Sequence, residues 1–600
     1  MCSISGLVNN NISLEMRISK INSMNEILNH RGPDDSDIWS NNLISIGHNR
    51  LAIIDLTDSG KQPMHRGDWV IVFNGEIYNY LEIRQELEKK FKQRFLTESD
   101  TEVILAAWEI WKEKSLDRFR GMWAFAIYNK TTHELYLCRD RFGIKPLYYY
   151  DKNYSFIFSS EIKAILQEEM IERRVYLPAV MDYLFGFHDH NEFTFFEDIF
   201  QIPPGHYLCF NLHNNNKKLI RYYDLAQATE GRISTVDEFT HVFRESVLLH
   251  LRSDVPVGTC LSGGLDSSSV ASTAAYHVKN NYNTSFHAIT AQSEDPLNDE
   301  TIYAKQVVEH SELIWHLIKP RAEDFLHDWE RCLWFQDEPT GGPSIFLQYF
   351  VMKTANEAGL KVMLDGQGGD EALFGYERYY PTLFLYLLKI GRINNFYKEF
   401  TNAIKNSKLN TRQMAMYVMY FLLPKVRVAR NAMKYKQIPK IILEHGLNTL
   451  QESSKSYRDP RSLQIAEITK YQLPHLLRYE DRNSMAWSVE ARVPFVDHEV
   501  IETAITLKLE DKIKNGYTKW ALRKVMDGKM ADSITWRKNK IGFEAPEKKW
   551  ANALKSEMDN RINNSVIIKE LNLHNKASNE NKFLLYNLAC WESLFNVNLS

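Results

Sequence analysis

The sequence predicts two domains of different class: a β-rich α+β domain at the N-terminal end, then an α/β domain on a parallel sheet that ends in a largely helical part. Three observations predict this. Short aromatic and β-branched runs punctuated by Gly and Asn fill the first 210 residues. Strand–loop–helix units recur from about residue 255 onward, the pattern of a parallel sheet. The 600 residues also exceed what one hydrophobic core fills, since single cores stop growing at about 250–300 residues.

In chain order, the runs 69-WVIVF-73, 123-WAFAIY-128, 135-LYLCR-139, 147-LYYY-150 and 154-YSFIFSS-160 read as strands. Helical periodicity appears at 80-YLEIRQELEKKF-91. The polar, Asn-rich stretch that follows is the best boundary, so the expected division is 1–212, a linker at 213–235, and 236–600. Residues 255–278 form a strand–loop–helix unit and 361–370 a second strand with a glycine loop. Residues 375–540 read as mostly helical, and the tail from about 556 has no assigned role.

Composition excludes some partners. With 73 basic and 76 acidic residues, the net charge of −3 makes no case for nucleic acid or an anionic membrane. The longest apolar runs, such as 417-YVMYFLL-423, are far shorter than the roughly 20 residues of a membrane span. No signal peptide precedes Cys2. The six cysteines are scattered without CxxC spacing, so reduced thiols in a cytoplasmic protein are expected.

Four stretches carry chemistry. Cys2 directly follows the initiator methionine; trimming would leave a thiol beside a free α-amine of pKa roughly 7.7–8.0, although a frayed terminus would look the same. The segment 254-DVPVGTCLSGGLDSSSVAS-272 ends a strand, inserts SGGLDSS and begins a helix. Its backbone N–H groups and the helix N-terminus make a phosphate cradle, which a tight turn would also resemble. There is no GxxxxGK[ST]. SGGLDSS instead resembles the signature of PP-loop ATP pyrophosphatases, which adenylate a carboxylate or carbonyl. That resemblance gives Leu261, Ser262, Gly263, Gly264, Ser267 and Ser268 to ATP, and Asp266 to Mg²⁺, a hard ion held by one or two carboxylates plus phosphate. A second loop, 361-KVMLDGQGGDEALFGY-376, adds Asp365 and Gly366 for ATP and Asp370 and Glu371 for a metal or the acceptor. Lys519, in 515-NGYTKWALR-523, offers positive charge to the departing pyrophosphate.

Together these stretches resemble the glutamine-hydrolysing asparagine synthetase family, a class II (N-terminal-nucleophile) glutamine amidotransferase joined to a synthetase domain. The motifs run in order over nearly the whole chain: MCSISG, HRGPD, HNRLAIIDL, NGEIYN, SDTEVIL, RDRFGIKPLYY, SSEIKA, IPPG, SGGLDSS, GQGGDE and VEARVPFVD. The resemblance implies a four-layer αββα Ntn-hydrolase sandwich followed by a PP-loop domain. It implies Cys2 as nucleophile with its own α-amine as base, and Asn74 with the Gly75 N–H as oxyanion hole. Arg50 would pair with the glutamine α-carboxylate, and Glu76 and Asp100 would meet its α-ammonium. Small-molecule substrates with Mg²⁺ follow from it, as does a homodimer. So does an apolar ammonia passage, for which 120-RGMWAFA-126 is a candidate alongside plain core.

The acceptor half departs from the pattern. Aspartate-using bacterial relatives carry SGEGSDE where this chain has 365-DGQGGDE-371, so Gln367 stands in place of a glutamate and cannot act as a base. The segment 336-QDEPTGGPSIF-346 also differs. The leading expectation is asparagine formation from aspartate, glutamine and ATP, and the runner-up is the same amidation of another carboxylate, a sugar acid or a peptide. A catalytically dead scaffold would have lost Cys2, Asp266 or Lys519, and all three are present.

Overall fold

A computed structural model describes residues 2–188, 192–282, 284–538, 544–573 and 581–599. Two six-stranded sheets form the N-terminal domain. In the first, Ser3–Val8 lies centrally, pairing antiparallel with Ile44–Arg50 and with Ser155–Ser159. In the second, Trp69–Ile77 pairs antiparallel with Gly121–Asn129 and with Met64–Arg66. Side chains alternate across each strand. Val70 and Val72 therefore enter the core between the sheets, with Ile4, Ile46, Ala124 and Leu137. Ile71 and Phe73 point the other way, with Val103 and Trp108 of helix Asp100–Trp111 and Leu87 of helix Tyr80–Phe91. On the opposite side, Ile21 and Met24 of helix Leu14–Ile27 pack in one core with Leu7 and Ile157. The result is the four-layer αββα sandwich.

The predicted linker is corrected in part. Asn216–Arg221 is an edge strand of the second sheet, paired antiparallel with His206–Asn211. Its polarity is that of a solvated edge, which Lys217, Lys218 and Arg221 keep from pairing further. Helix Val236–His250 then opens the second domain with a capping box between Thr235 and Glu238.

The second domain is built on a five-stranded parallel sheet in the order Ile314–Ile318, His287–Ala291, Val257–Cys260, Val362–Leu364, Glu490–Arg492. The order reverses between Val257–Cys260 and Val362–Leu364, and a ligand crevice is expected outside the carboxyl ends of those two strands. Both glycine loops leave from those ends. The strand Glu490–Arg492 interrupts the region read as helical. The tail also has a place: in helix Lys582–Phe595, the Asn587 amide donates to the carbonyls of Thr340 (2.9 Å) and Gly341 (2.7 Å), and the Trp591 indole to that of Asp337 (2.9 Å).

A buried charge cluster joins the domains. Arg31, fully buried, meets Asp481 through two hydrogen bonds (2.9 and 3.0 Å) and Glu161 at 2.7 Å. Lys163 pairs with Asp337 at 2.9 Å, and Arg482 reaches Glu161 and Asp337 at 3.4 Å each. Burial alone would raise the Asp481 carboxyl, but Arg31 and Lys145 outweigh it and hold it below the usual range. Arg31→Met would leave Asp481 and Glu161 short of a counter-charge, a change that costs about 3–5 kcal/mol in buried pairs. We expect thermal unfolding several degrees below wild type by calorimetry; an unchanged midpoint contradicts the assignment.

Candidate active sites in the two domains

The first site lies where strands of the two sheets end. Cys2 stands one residue before Ser3–Val8, and the alternation that turns Ile4 toward the neighbouring sheet turns Cys2 the same way. It shares a small cavity of about 30 Å³ with Arg50, Leu51, Gly75, Glu76 and Asp100. The Cys2 thiol faces the Leu51 carbonyl at 3.9 Å, and burial pushes its pKa up, so it rests as the thiol. Arg31 of the interdomain cluster donates from Nε to the Cys2 carbonyl at 3.2 Å, fixing the backbone of that residue.

Asn74 sits between two lining residues, Phe73 and Gly75, and is fully buried. Its amide nitrogen and oxygen have no hydrogen-bond partner among the described residues. A buried polar group left unpaired costs about 1–3 kcal/mol, so this amide is held ready for a group the protein itself does not supply. Gly75 has no room for a side chain: a Cβ would fall 2.1 Å from the Met122 carbonyl oxygen. Arg50 is anchored by the carbonyls of Thr57 (2.8 Å) and Asp55. Asp100 opens helix Asp100–Trp111 and accepts from the Ile77 N–H at 2.9 Å. Burial raises its carboxyl to about 7; the Ile77 N–H opposes this and the nearby Glu490 carboxylate adds to it.

Glu490, which no sequence argument placed here, lines this cavity from the other domain. Burial, then Glu490 and Asp100, raise the Glu76 carboxyl well above its usual range. Arg492 opposes that rise, bound to Glu490 at 2.5 Å and 3.6 Å from Glu76. The signal was present in VEARVPFVD: an acid and an arginine two residues apart on a strand share a face.

The second site is a cavity of about 380 Å³ at the predicted crevice. Leu261, Ser262, Gly264, Asp266 and Ser267 line it from one loop, and Asp365, Gly366, Gln367, Asp370 and Glu371 from the other. The loops abut closely: a Cβ on Gly366 would lie 2.6 Å from the Ser267 nitrogen, and one on Gly369 2.8 Å from Asp266 Cγ. Ser262 and Ser267 brace the first loop, hydroxyl to hydroxyl at 3.0 Å.

Gly263 and Ser268 stand behind the lining. Gly263, at φ +78°, packs on Ala304, and Ser268 is buried in the first turn of helix Leu265–Tyr282 with its hydroxyl unpartnered among the described residues. Lys519 is also buried and off the lining; its ammonium bridges Asp266 and Asp370, the latter at 2.6 Å. Burial, then Asp370, raise the Glu371 carboxyl to about 7, against the Tyr376 hydroxyl that donates to it at 2.6 Å. On the acceptor side, the Gln367 amide reaches the Tyr479 hydroxyl at 3.4 Å, and Gln348 donates to Glu480. Gln348, Glu480 and Tyr479 were not anticipated, because they lie on helices without a glycine loop to mark them.

One apolar cluster spans the space between the cavities. It begins at Leu51 and Ile53, which line the first, and contains Met122, Leu473 and Val496. Val496 and Leu473 face Gly368 of the second loop. Of the segment 120–126 only Met122 joins it; Trp123, Phe125, Ala124 and Ala126 belong to the sandwich cores and Arg120 is paired with Asp497 at 2.6 Å.

An αββα sandwich with a cysteine pocket, fused to a parallel sheet with paired glycine loops, defines a glutamine amidotransferase joined to a synthetase. The chain belongs to the asparagine synthase family: that family's pattern matches residues 238–594, and the glutamine amidotransferase domain pattern matches residues 1–223. It is 32% identical to asparagine synthetase [glutamine-hydrolyzing] 1 of Bacillus subtilis (strain 168), over 91% of this chain and 86% of that one. It is 29% identical to asparagine synthetase [glutamine-hydrolyzing] 3 of the same organism over 95% and 92% of the two chains. A putative asparagine synthetase [glutamine-hydrolyzing] 2 of Methanocaldococcus jannaschii is 34% identical over 63% of this chain and 76% of its own.

Because the two loops touch, Gly366→Ala should force them apart and weaken nucleotide binding by about tenfold or more, a loss of at least 1.4 kcal/mol. Calorimetric titration with ATP checks this, with glutaminase turnover as the folding control; unchanged affinity would mean that nucleotide does not depend on their contact.

Proposed function

We propose that the chain makes asparagine from aspartate, using glutamine as nitrogen donor and ATP as activator. The observation that carries the reading is that one cluster of buried apolar side chains reaches from Leu51 and Ile53, beside Cys2, to Leu473 and Val496, which face the second glycine loop, so the two cavities are separated by apolar packing and not by polar solvent-exposed surface.

With Met1 removed, the α-amine of Cys2 takes the thiol proton as sulfur attacks the glutamine side-chain carbonyl. Burial keeps the thiol protonated until that moment. The unpartnered Asn74 amide and the Gly75 N–H receive the oxyanion, an interaction typically worth about 3–4 kcal/mol. The amine returns the proton to the departing nitrogen; ammonia leaves and water later frees glutamate from the thioester. Arg50 holds the α-carboxylate of glutamine, and Asp100 and Glu76 its α-ammonium.

In the second cavity an aspartate side-chain oxygen attacks the α-phosphorus of ATP and pyrophosphate leaves. Ammonia then attacks the acyl carbon, AMP departs, and a proton is released as asparagine forms. The serines of the first loop, with Leu261, Gly263 and Gly264, cradle phosphate, while Asp365 and Gly366 close the nucleotide site. Lys519 steadies charge on the pyrophosphate. Asp266 and Asp370 fit a Mg²⁺ that arrives with ATP, since Asp266 Oδ1 is buried with no hydrogen-bond partner and two carboxylates plus phosphate are this ion's usual holders. Such an ion would neutralise phosphate charge. Gln367, Glu371 and Asp370 border the acceptor, where Gln367 orients by hydrogen bonding. The reaction draws on cytoplasmic ATP and glutamine, and we infer a cytoplasmic homodimer; no helix among the described residues is long and apolar enough to cross a membrane.

The direct test is purified protein with glutamine, ATP, Mg²⁺ and aspartate, which should yield asparagine, glutamate, AMP and pyrophosphate in equal amounts. Absence of ATP-dependent asparagine formation rejects the reading. Cys2→Ala should abolish glutamine-dependent synthesis yet leave synthesis from ammonium salts, whereas Asp266→Ala should spare glutaminase turnover and stop pyrophosphate release.

A pH effect follows from Asp100. Its carboxyl must be ionised to hold an ammonium group, and its pKa of about 7 means that this form is lost as pH falls through neutrality. The KM for glutamine should therefore rise by up to about tenfold per unit below pH 7. Asp100→Asn should raise KM at all pH values and flatten that dependence, as steady-state kinetics between pH 6 and 8 would show.

A further inference from the structure

The whole-chain charge hides a strongly basic segment. Residues 389–440 contain twelve Lys or Arg and one acid, Glu399, in a protein whose net charge is −3. That acid is already engaged, accepting from the backbone of Asn515 at 3.0 Å and of Gly516 at 2.9 Å. Lys398, Arg412, Lys425, Arg430 and Lys436 are exposed and form no ion pair with a carboxylate among the described residues.

The same segment carries an exposed apolar stripe. Met416 and Met419 are each 53% exposed on helix Thr411–Leu422, followed by Leu423, Val426 at 49%, and Met433 at 75% on helix Pro424–Lys434. Met416 and Met419, three apart, share a side of the first helix, and Val426 and Met433, seven apart, share a side of the second, with Leu423 at the junction between them. The inward positions are different residues, Met414, Arg427 and Tyr435. Five large exposed apolar side chains on two consecutive helices and their junction, in a segment that also carries unpaired cations, have the composition of an interfacial amphipathic surface.

We propose that residues 393–436 dock the protein on an anionic lipid surface, with the methionine, leucine and valine stripe entering the headgroup boundary and the exposed lysines and arginines meeting lipid phosphate. The charge selects this occupant. A second copy of the chain on the same face would set the unpaired Lys398, Arg412, Lys425, Arg430 and Lys436 against the same five cations, while the segment's one acid, Glu399, is already engaged. A negatively charged bilayer satisfies both halves of the surface at once. The surface is also mechanically close to the second cavity: helix Ile393–Asn406, through Glu399, grips the loop Asn515–Gly516, three residues before Lys519.

The test is co-sedimentation of the intact protein with vesicles of phosphatidylcholine alone or with about one-third phosphatidylglycerol, at about 0.1 M salt. We expect binding to the anionic vesicles only, reversed by about 0.5 M salt. Binding should fall about tenfold or more in Met419→Asp/Val426→Asp, and separately in Arg430→Glu/Lys436→Glu. Neither variant touches the two cavities, so glutamine-dependent synthesis without vesicles should be unchanged and reports that they fold. The proposal is overturned by equal binding to neutral vesicles, by no binding to anionic ones, or by folded variants that bind as wild type. It is equally overturned if the stripe substitutions abolish self-association, or binding to nucleic acid, while vesicle binding is absent.

Discussion

The Arg31 guanidinium is the point on which the rest of the architecture turns. It bonds Asp481 of the second domain and Glu161 of its own, and with Nε it holds the Cys2 carbonyl. One side chain therefore registers the two domains against each other and sets the backbone of the nucleophile. Each buried ion in such a cluster loses several kcal/mol of hydration, which its partners largely return. A network of this kind contributes little net stability, yet it is intolerant of displacement, because any shift strands a charge away from water. The same intolerance makes it a positioning device for a reaction that needs sulfur aligned on one carbonyl.

Electrostatics in the first cavity follow a related rule. Glu76, Asp100 and Glu490 line one small cavity, with Arg492 bound to Glu490 and 3.6 Å from Glu76. Burial, reinforced by the neighbouring Glu490 carboxylate, pushes the Asp100 and Glu76 carboxyls upward. Beside the second cavity Lys519 plays the converse part, a single cation that holds Asp266 of one loop close to Asp370 of the other.

Much of this was legible beforehand, for a physical reason in each case. Glycine loops announce themselves, because only glycine tolerates contacts such as Gly366 against Ser267, and 69-WVIVF-73 reads as a strand from its aromatic and β-branched residues, although only the structure shows which side chains enter which core. The edge strand Asn216–Arg221 was read as linker because a solvated edge and a linker demand the same polar residues. Glu490, Arg492, Gln348 and Glu480 escaped because their roles arise from tertiary apposition. The basic platform at 389–440 escaped because summing charge over 600 residues erased it. The C-terminal helix looked like an appendage, and its Asn587 and Trp591 turn out to clasp the 337–341 loop, which leads into the wall of the second cavity.

Glu490 bears on how such a protein can be rearranged. The glutamine pocket has a wall that its own domain does not encode, and that wall is one edge strand of the synthetase sheet, two residues from the arginine that tempers its charge. A glutaminase half cut out and grafted onto a different synthetase would arrive with a window in its pocket, open to solvent and missing a carboxylate. For this chain, a different synthetase half would close the pocket only if it brought an acid–arginine pair on the same strand. The two halves have to be inherited as a matched set, and covalent attachment alone does not make one.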